Sequence, residues 1–188
     1  MQKKMSRIPA HAERVFKGVI FDVYQWEQEM FDGSTETFEG LKRPNTVLVI
    51  PMIGDKVYYS LQEQPAHKPF LSLFGGRGDE GEEPIETAKR ELLEESGLES
   101  DDWYELRKYS IPGKFEWDVY YYVARNCRKT SEQNLDSGEK IEIREADLDS
   151  FLSEIVADPS FRELSFKSEV FSVFNPDVVA KLRDEMLG

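Results

Sequence analysis

Three carboxylates, Glu91, Glu94 and Glu95, are spaced at i, i+3 and i+4 in the run "ETAKRELLEESGL". On a helix that spacing puts all three on one face. Side by side they repel, and either protonation or a hard cation relieves the repulsion. Three carboxylates completed by water and a carbonyl oxygen suit octahedral magnesium or manganese. Just ahead lies the glycine loop "GGRGDEGEEP", whose backbone lets a ligand approach closely. From Gly75 to Leu98 the chain carries eight carboxylates (Asp79, Glu80, Glu82, Glu83, Glu86, Glu91, Glu94, Glu95) against three cations (Arg77, Lys89, Arg90). The competing reading is a solvated acidic helix face.

The elements around this run must position it. Pro84 suits a first helical turn and Gly97 a C-terminal cap. Between them Ile85, Ala88 and Leu92 form an apolar stripe, roughly 100° from the carboxylates at about 100° per residue. Upstream, "FKGVIFDVYQWEQEMF" alternates as strands, "DGST" turns, and "ETFEGL" continues. "TVLVIPMI" is the best strand, and Gly54-Asp55 turns it into a hairpin with "KVYYSLQEQ". "FLSLF" is a short strand entering the glycines. Downstream, "WYELRKYSI" and "WDVYYYVAR" are strands around the turn "PGK", and "CRKTSEQNLDSGE" is a polar loop. "KIEIREA" is a strand, "DLDSFLSEIVA" a helix capped by Asp147, and "PDVVAKLRDEML" a last helix. The first fourteen residues are polar and expected to fray or to depend on a partner for order. Mixed strands and helices predict an α+β or layered α/β/α protein.

Composition narrows the partners. The 188 residues carry a net charge of −13, which disfavours a nucleic-acid backbone or an anionic membrane surface as partner. The single Cys127 excludes an internal disulfide and a thiolate zinc site, and is read as a packed thiol. The N-terminus lacks an apolar signal core, and "TVLVIPMI" is too short to span a bilayer, so a cytoplasmic protein is expected. Two motifs in the loop are set aside. Gly76-Arg77-Gly78-Asp79-Glu80-Gly81 spells a dinucleotide fingerprint, but Glu82 and Glu83 would repel a pyrophosphate there. Arg77-Gly78-Asp79 is a chance adhesion tripeptide.

Gly76, Glu82, Arg90, Glu91, Leu92, Glu94, Glu95, Gly97 and Leu98 match G-x5-E-x7-R-E-U-x-E-E-x-G-U, with U aliphatic. On these residues the chain is identified as resembling the Nudix hydrolases. The resemblance implies the Nudix fold: a mixed β-sheet sandwiched between helices over residues 44–188. An N-terminal tail and antiparallel strand extension over residues 1–43 would precede it, with possible strand exchange in a homodimer. It also implies hydrolysis of a nucleoside diphosphate linked to another moiety. Glu91, Glu94, Glu95 and the Gly75 carbonyl would ligate Mg2+ or Mn2+. Arg90 would pair with Glu82 and orient it.

Within the family the chain resembles the branch cleaving ADP-ribose and nucleoside-diphosphate sugars. Pro112 lies where that branch carries a proline, in "IPGKFEWD". "DSGEKIEI" resembles a loop with an extra catalytic glutamate, Glu139 here, with Asp136 as the alternative. The branch's "E-L-P-A-G" entry is replaced by Ser72-Leu73-Phe74-Gly75-Gly76, which leaves ADP-ribose itself open. Lys42 and Arg43 are candidates for substrate phosphate. Trp26, Phe31 and Phe38 are candidates for stacking a nucleobase, against packing roles. Trp103, Trp117 and Tyr120 to Tyr122 are expected in strands and core. The alternatives are hydrolysis of nucleoside triphosphates or dinucleoside polyphosphates, and a non-catalytic nucleotide-sugar-binding module.

Overall fold

The structure is a computed structural model in which residues 7–174 are described. The helix expected over "PDVVAKLRDEML" lies outside the described residues. In chain order the elements are β1 (Glu13–Lys17), β2 (Asp22–Glu29), β3 (Thr35–Lys42), β4 (Thr46–Ile53), β5 (Lys56–Glu63), β6 (Phe70–Ser72), α1 (Pro84–Ser96), β7 (Leu98–Glu99), β8 (Asp102–Ser110), β9 (Phe115–Glu116), β10 (Asp118–Arg125), β11 (Arg128–Lys129), β12 (Lys140–Asp147), α2 (Leu148–Ala157) and α3 (Leu164–Phe174).

The central sheet runs β12-β5-β4-β10-β8, with β6 on β5. β4 and β10 are parallel and the other pairs antiparallel, so the sheet is mixed. Period-two alternation sends β4 side chains to opposite faces. Val47 and Val49 pack with Ala88 and Leu92 of α1. Leu48 and Ile50 pack with Phe151 and Ile155 of α2 and Phe166 and Val170 of α3. Two apolar clusters, one per face, give the α/β/α layering and a mixed α+β class.

The second sheet is β1-β2-β3-β9. Its first three strands form the antiparallel extension, and β9 adds to β3 in parallel. Sequence alternation does not report β9, because two residues inside a turn carry no period. The tail is more fixed than expected from Arg7 onward. Arg7 donates to the carbonyls of Ile111 and Phe115, the latter at 2.7 Å, and Ile8 is buried.

Local chemistry explains the elements that hold the site. Gly54 takes a positive φ of 60° in the β4–β5 turn. Pro84 opens α1, and Gly97 ends it in the left-handed region with its N–H on the Leu93 carbonyl. The Asp147 side chain accepts from the Ser150 N–H and caps α2. One element, α3, has no counterpart in the sequence reading. Its signal was the i, i+4 pair Phe166 and Val170, both buried here.

Candidate active site

The segment after β6 fills the wedge between β4 and β5. β6 pairs with β5, then the chain crosses to β4, where Val49 N–H meets the Phe74 carbonyl and Val47 N–H the Gly76 carbonyl. Two glycines are needed at the crossing for different reasons. Gly75 has φ of 140°, and a Cβ there would lie 2.1 Å from the Val47 carbonyl oxygen. A Cβ on Gly76 would lie 2.6 Å from a Glu91 carboxylate oxygen. The loop backbone is thus pressed against both the sheet and the acidic face of α1.

That face is only partly solvated: the Glu94 side chain is 40% exposed, while Glu91 and Glu95 turn inward. Glu95 is only 4% exposed and accepts from the Gly75 N–H at 2.7 Å. It lies three residues after Leu92, at the edge of the packing stripe, which draws it inward. Burial pushes its carboxyl well above the usual range. The Gly75 N–H opposes the shift, and Glu91, Glu139 and Glu163 reinforce it. Glu91 is half-buried and raised by burial, held back by Arg90, and raised further by Glu94 and Glu139. Glu139 is likewise raised, first by burial. The fold therefore brings Glu139, across the sequence, into the field of the α1 carboxylates. It stands on the wall of a hollow of about 540 Å3 shared with Gln64, His67 and Asp136.

Arg90 organises the cluster. Its Nε and Nη2 donate to the two Glu82 oxygens at 3.2 and 3.1 Å. Its Nη1 donates to Glu91 at 2.9 Å and Glu94 at 3.0 Å. Glu82 also accepts from Thr87 Oγ1 at 2.8 Å and the Asp79 N–H at 3.0 Å. These bonds, the Arg90 pair first, lower the Glu82 pKa to about 2. Thr87 had no place in the sequence reading, and nothing in its spacing marks it.

The donor set tests well for a hard divalent ion. It is all oxygen, largely anionic, and contains buried acids that raise one another's pKa. Glu91 and Glu94, however, are held by Arg90. Among the described residues no three acidic, imidazole or thiol side chains converge as they stand. Holding an ion there requires Arg90 to release at least one of them.

A neighbouring cleft of about 530 Å3 lies between the β1–β2 turn and the glycine loop, lined among others by Lys17, Val19, Arg43, Glu82 and Trp117. Arg43 sits 4.3 Å from the Trp117 ring centroid and 5.5 Å from that of Phe21. Lys42 is engaged by Glu116 at 2.9 Å. The aromatic candidates are not brought to this cleft within the chain. Trp26 is buried, edge-on to Phe38 at 6.0 Å, with its indole N–H on Gln28. Phe38 carries the Lys114 ammonium 4.1 Å from its centroid, Phe31 is wholly exposed, and Pro112 is exposed in its turn. Cys127 is buried with its thiol donating to the Ala124 carbonyl.

The sequence model of the NUDIX domain matches residues 42–164. The chain belongs to the Nudix family. It is 27% identical over 144 residues to an ADP-ribose pyrophosphatase of Bacillus subtilis (strain 168), covering 74% of this chain and 78% of that one. It is 28% identical over 147 residues to a methanol dehydrogenase activator of Bacillus methanolicus, covering 76% and 80%. It is 26% identical over 167 residues to the ADP compounds hydrolase NudE of Escherichia coli (strain K12), covering 87% and 89%. A crystal structure of an ADP compounds hydrolase superposes with a TM-score of 0.69 at 25% identity, covering 88% of this chain and 91% of that one. The protein is a Nudix hydrolase acting on phosphoric anhydrides, related to ADP-compound pyrophosphatases. Nudix enzymes act on small nucleotide-diphosphate substrates and generally use divalent ions. No described helix is long and apolar enough to cross a membrane.

Proposed function

We propose that this Nudix hydrolase cleaves the pyrophosphate bond of ADP-ribose or a related nucleoside-diphosphate sugar, giving a nucleoside monophosphate and a sugar phosphate. The observation that carries the reading is the gathering of Glu91, Glu94, Glu95 and Glu139 beside the Gly75–Gly76 crossing, with raised pKa at Glu91, Glu95 and Glu139. Glu91, Glu94, Glu95 and the Gly75 carbonyl hold Mg2+ or Mn2+. When bound, the ion neutralises diphosphate charge and acidifies the attacking water. Glu139 accepts the water proton on its carboxylate. Arg90 and Glu82 fix the α1 N-terminal turn against the glycine loop. Arg43 meets a substrate phosphate.

The same reading makes the residue 1–43 extension a dimer face. The β1 strand is exposed along its length, and Phe16, Val19 and Phe31 expose apolar surface beside it. A second copy covering this face would bring Trp26 and Phe38 near a nucleobase. One cysteine and no disulfide framework accord with a cytoplasmic enzyme. The test is a substrate panel with magnesium. ADP-ribose or a nucleotide sugar is expected to give the highest kcat/KM. A maximum on nucleoside triphosphates or dinucleoside polyphosphates would replace this reading with the other Nudix activity.

A further inference from the structure

The last turn of a helix leaves its carbonyls without partners inside the helix. In α1 that turn carries Glu94 and Glu95, and one loop supplies the missing donors. The Asn134 N–H meets the Glu94 carbonyl at 2.8 Å. Gln133 Nε2 donates to the Glu95 carbonyl at 2.7 Å, and Lys129 Nζ to the Ser96 carbonyl at 2.9 Å. The Thr130 and Ser131 N–H groups both reach the Gly97 carbonyl, at 2.9 and 3.3 Å. The loop presses so close that a Cβ on Gly97 would lie 2.1 Å from the Ser131 carbonyl oxygen. This is the polar loop that leads to Glu139. One of its donors, Gln133, reaches further. Its Nε2 also donates to the Ile141 carbonyl at 3.2 Å. Ile141 is buried in β12, where it pairs with Gln62 of β5. Two carbonyls facing one group require a double donor, which a side-chain amide supplies and a carboxylate does not.

We infer that Gln133 is a positioning residue for Glu139, an amide bolt between the helix that carries the box carboxylates and the loop that carries the base. The inference rests on the hydrolase reading above. A general base has to stay within hydrogen-bond reach of the water it deprotonates. In that reading the water is held from α1, whereas Glu139 comes from a different part of the chain, so the gap between the two elements must be fixed. Gln133 fixes it from both ends. One bond holds the backbone of Glu95, and the other closes the neck of the 134–140 loop at Ile141. Within that loop the Glu139 N–H turns onto the Asp136 carbonyl at 3.0 Å. Glu139 is thus placed by the amide, which itself touches neither substrate nor ion.

The test combines ADP-ribose hydrolysis with amide hydrogen exchange of the ligand-free protein. Gln133→Leu keeps the bulk and loses the donors. Its kcat is expected to fall about tenfold or more, the scale of a slightly misplaced catalytic group, with KM and Mn2+ affinity within about twofold of wild type. Its 134–140 segment is expected to exchange about tenfold faster, as a locally released loop does. In a Glu139→Gln background the same substitution is expected to change kcat by no more than about twofold, because its effect passes through that carboxylate. Wild-type kcat in Gln133→Leu, unchanged exchange, or losses that multiply in the double variant would each overturn the assignment; the last is what general loosening of the fold would give. Gln133→Asn, one methylene shorter, cannot span both carbonyls and decides if Gln133→Leu does not fold. Exchange needs no turnover. A wild type that hydrolyses no ADP-ribose would remove the functional reading, and faster exchange in the variant would leave the bolt standing.

Discussion

Glu95 and Glu163 are both buried carboxyls, and both hold the strand that carries the glycine loop. Glu95 takes the Gly75 N–H from the α1 side. Glu163, 7% exposed and just before α3, accepts from Ser72 Oγ at 2.7 Å, while its second oxygen has no hydrogen-bond partner among the described residues. Around it the same junction grips β6, with Ser160 Oγ accepting from the Leu71 N–H and the Arg162 N–H donating to the Leu71 carbonyl. The difference is in company. Glu95 sits among Glu91, Glu94 and Glu139, where a cation would relieve all of them. Glu163 stands by a serine and a strand; its charge is felt at Glu95, but burial is what drives its own pKa up to about 7. A buried acid within a cluster of acids suggests ligand chemistry, and one bonded to a serine at the cluster's edge suggests a proton held for structure.

Substitution should separate the two most sharply in turnover. Glu94→Gln and Glu95→Gln are each expected to cut kcat roughly a hundredfold or more, the scale of losing a major electrostatic group. Glu163→Gln, which keeps a neutral, hydrogen-bonding side chain, should leave kcat within a few-fold at pH 6. Near-normal kcat in both box variants would erase the distinction. Glu139→Gln comes next: kcat should fall at least tenfold, on the scale of a lost general base, with Mn2+ affinity by titration nearly unchanged. Loss of the ion instead would make Glu139 a ligand.

The pH dependence of stability gives a smaller effect with opposite signs. Glu163 has a folded pKa above its ordinary 4.5. Between about 4.5 and 7 the folded state therefore holds a proton the unfolded chain has lost, and stability falls as pH rises. The loss is on the order of a few kcal/mol over that window, and Glu163→Gln should remove it in urea titrations at pH 5 and 7.5. Glu82 runs the other way. Its lowered pKa contributes stability that is present above about 4.5 and lost as pH falls toward about 2. Arg90→Ala should abolish that acid limb and cost about 1–3 kcal/mol at pH 7 through lost charged hydrogen bonds. An unchanged acid limb in that variant would mean Arg90 does not set the Glu82 charge.

What was legible in the sequence follows from what is local. The α1 boundaries, its carboxylate face, the Gly54 turn and the Asp147 cap are each set by residues within a turn of one another. The pairing of Arg90 with Glu82 came from family likeness. Its further grip on Glu91 and Glu94 needed the side chains. The burial of Glu95 needed the sheet beneath α1. Glu163 and α3 went unread because their partners, Ser72 and Leu71, lie some ninety residues away. Trp26 shows the same limit. Its type left stacking and packing both open, and within the chain it lies against Gly40 and edge-on to Phe38.

The central claim is that the α1 carboxylates exist to hold a divalent ion. Crystals grown with Mn2+ and measured for anomalous scattering test it most directly. The account predicts manganese coordinated by Glu91, Glu94 and Glu95 near the Gly75 carbonyl, with Arg90 withdrawn from Glu91 or Glu94 and still bound to Glu82. No anomalous peak there, with Arg90 bridging Glu91 and Glu94 unchanged, would contradict it.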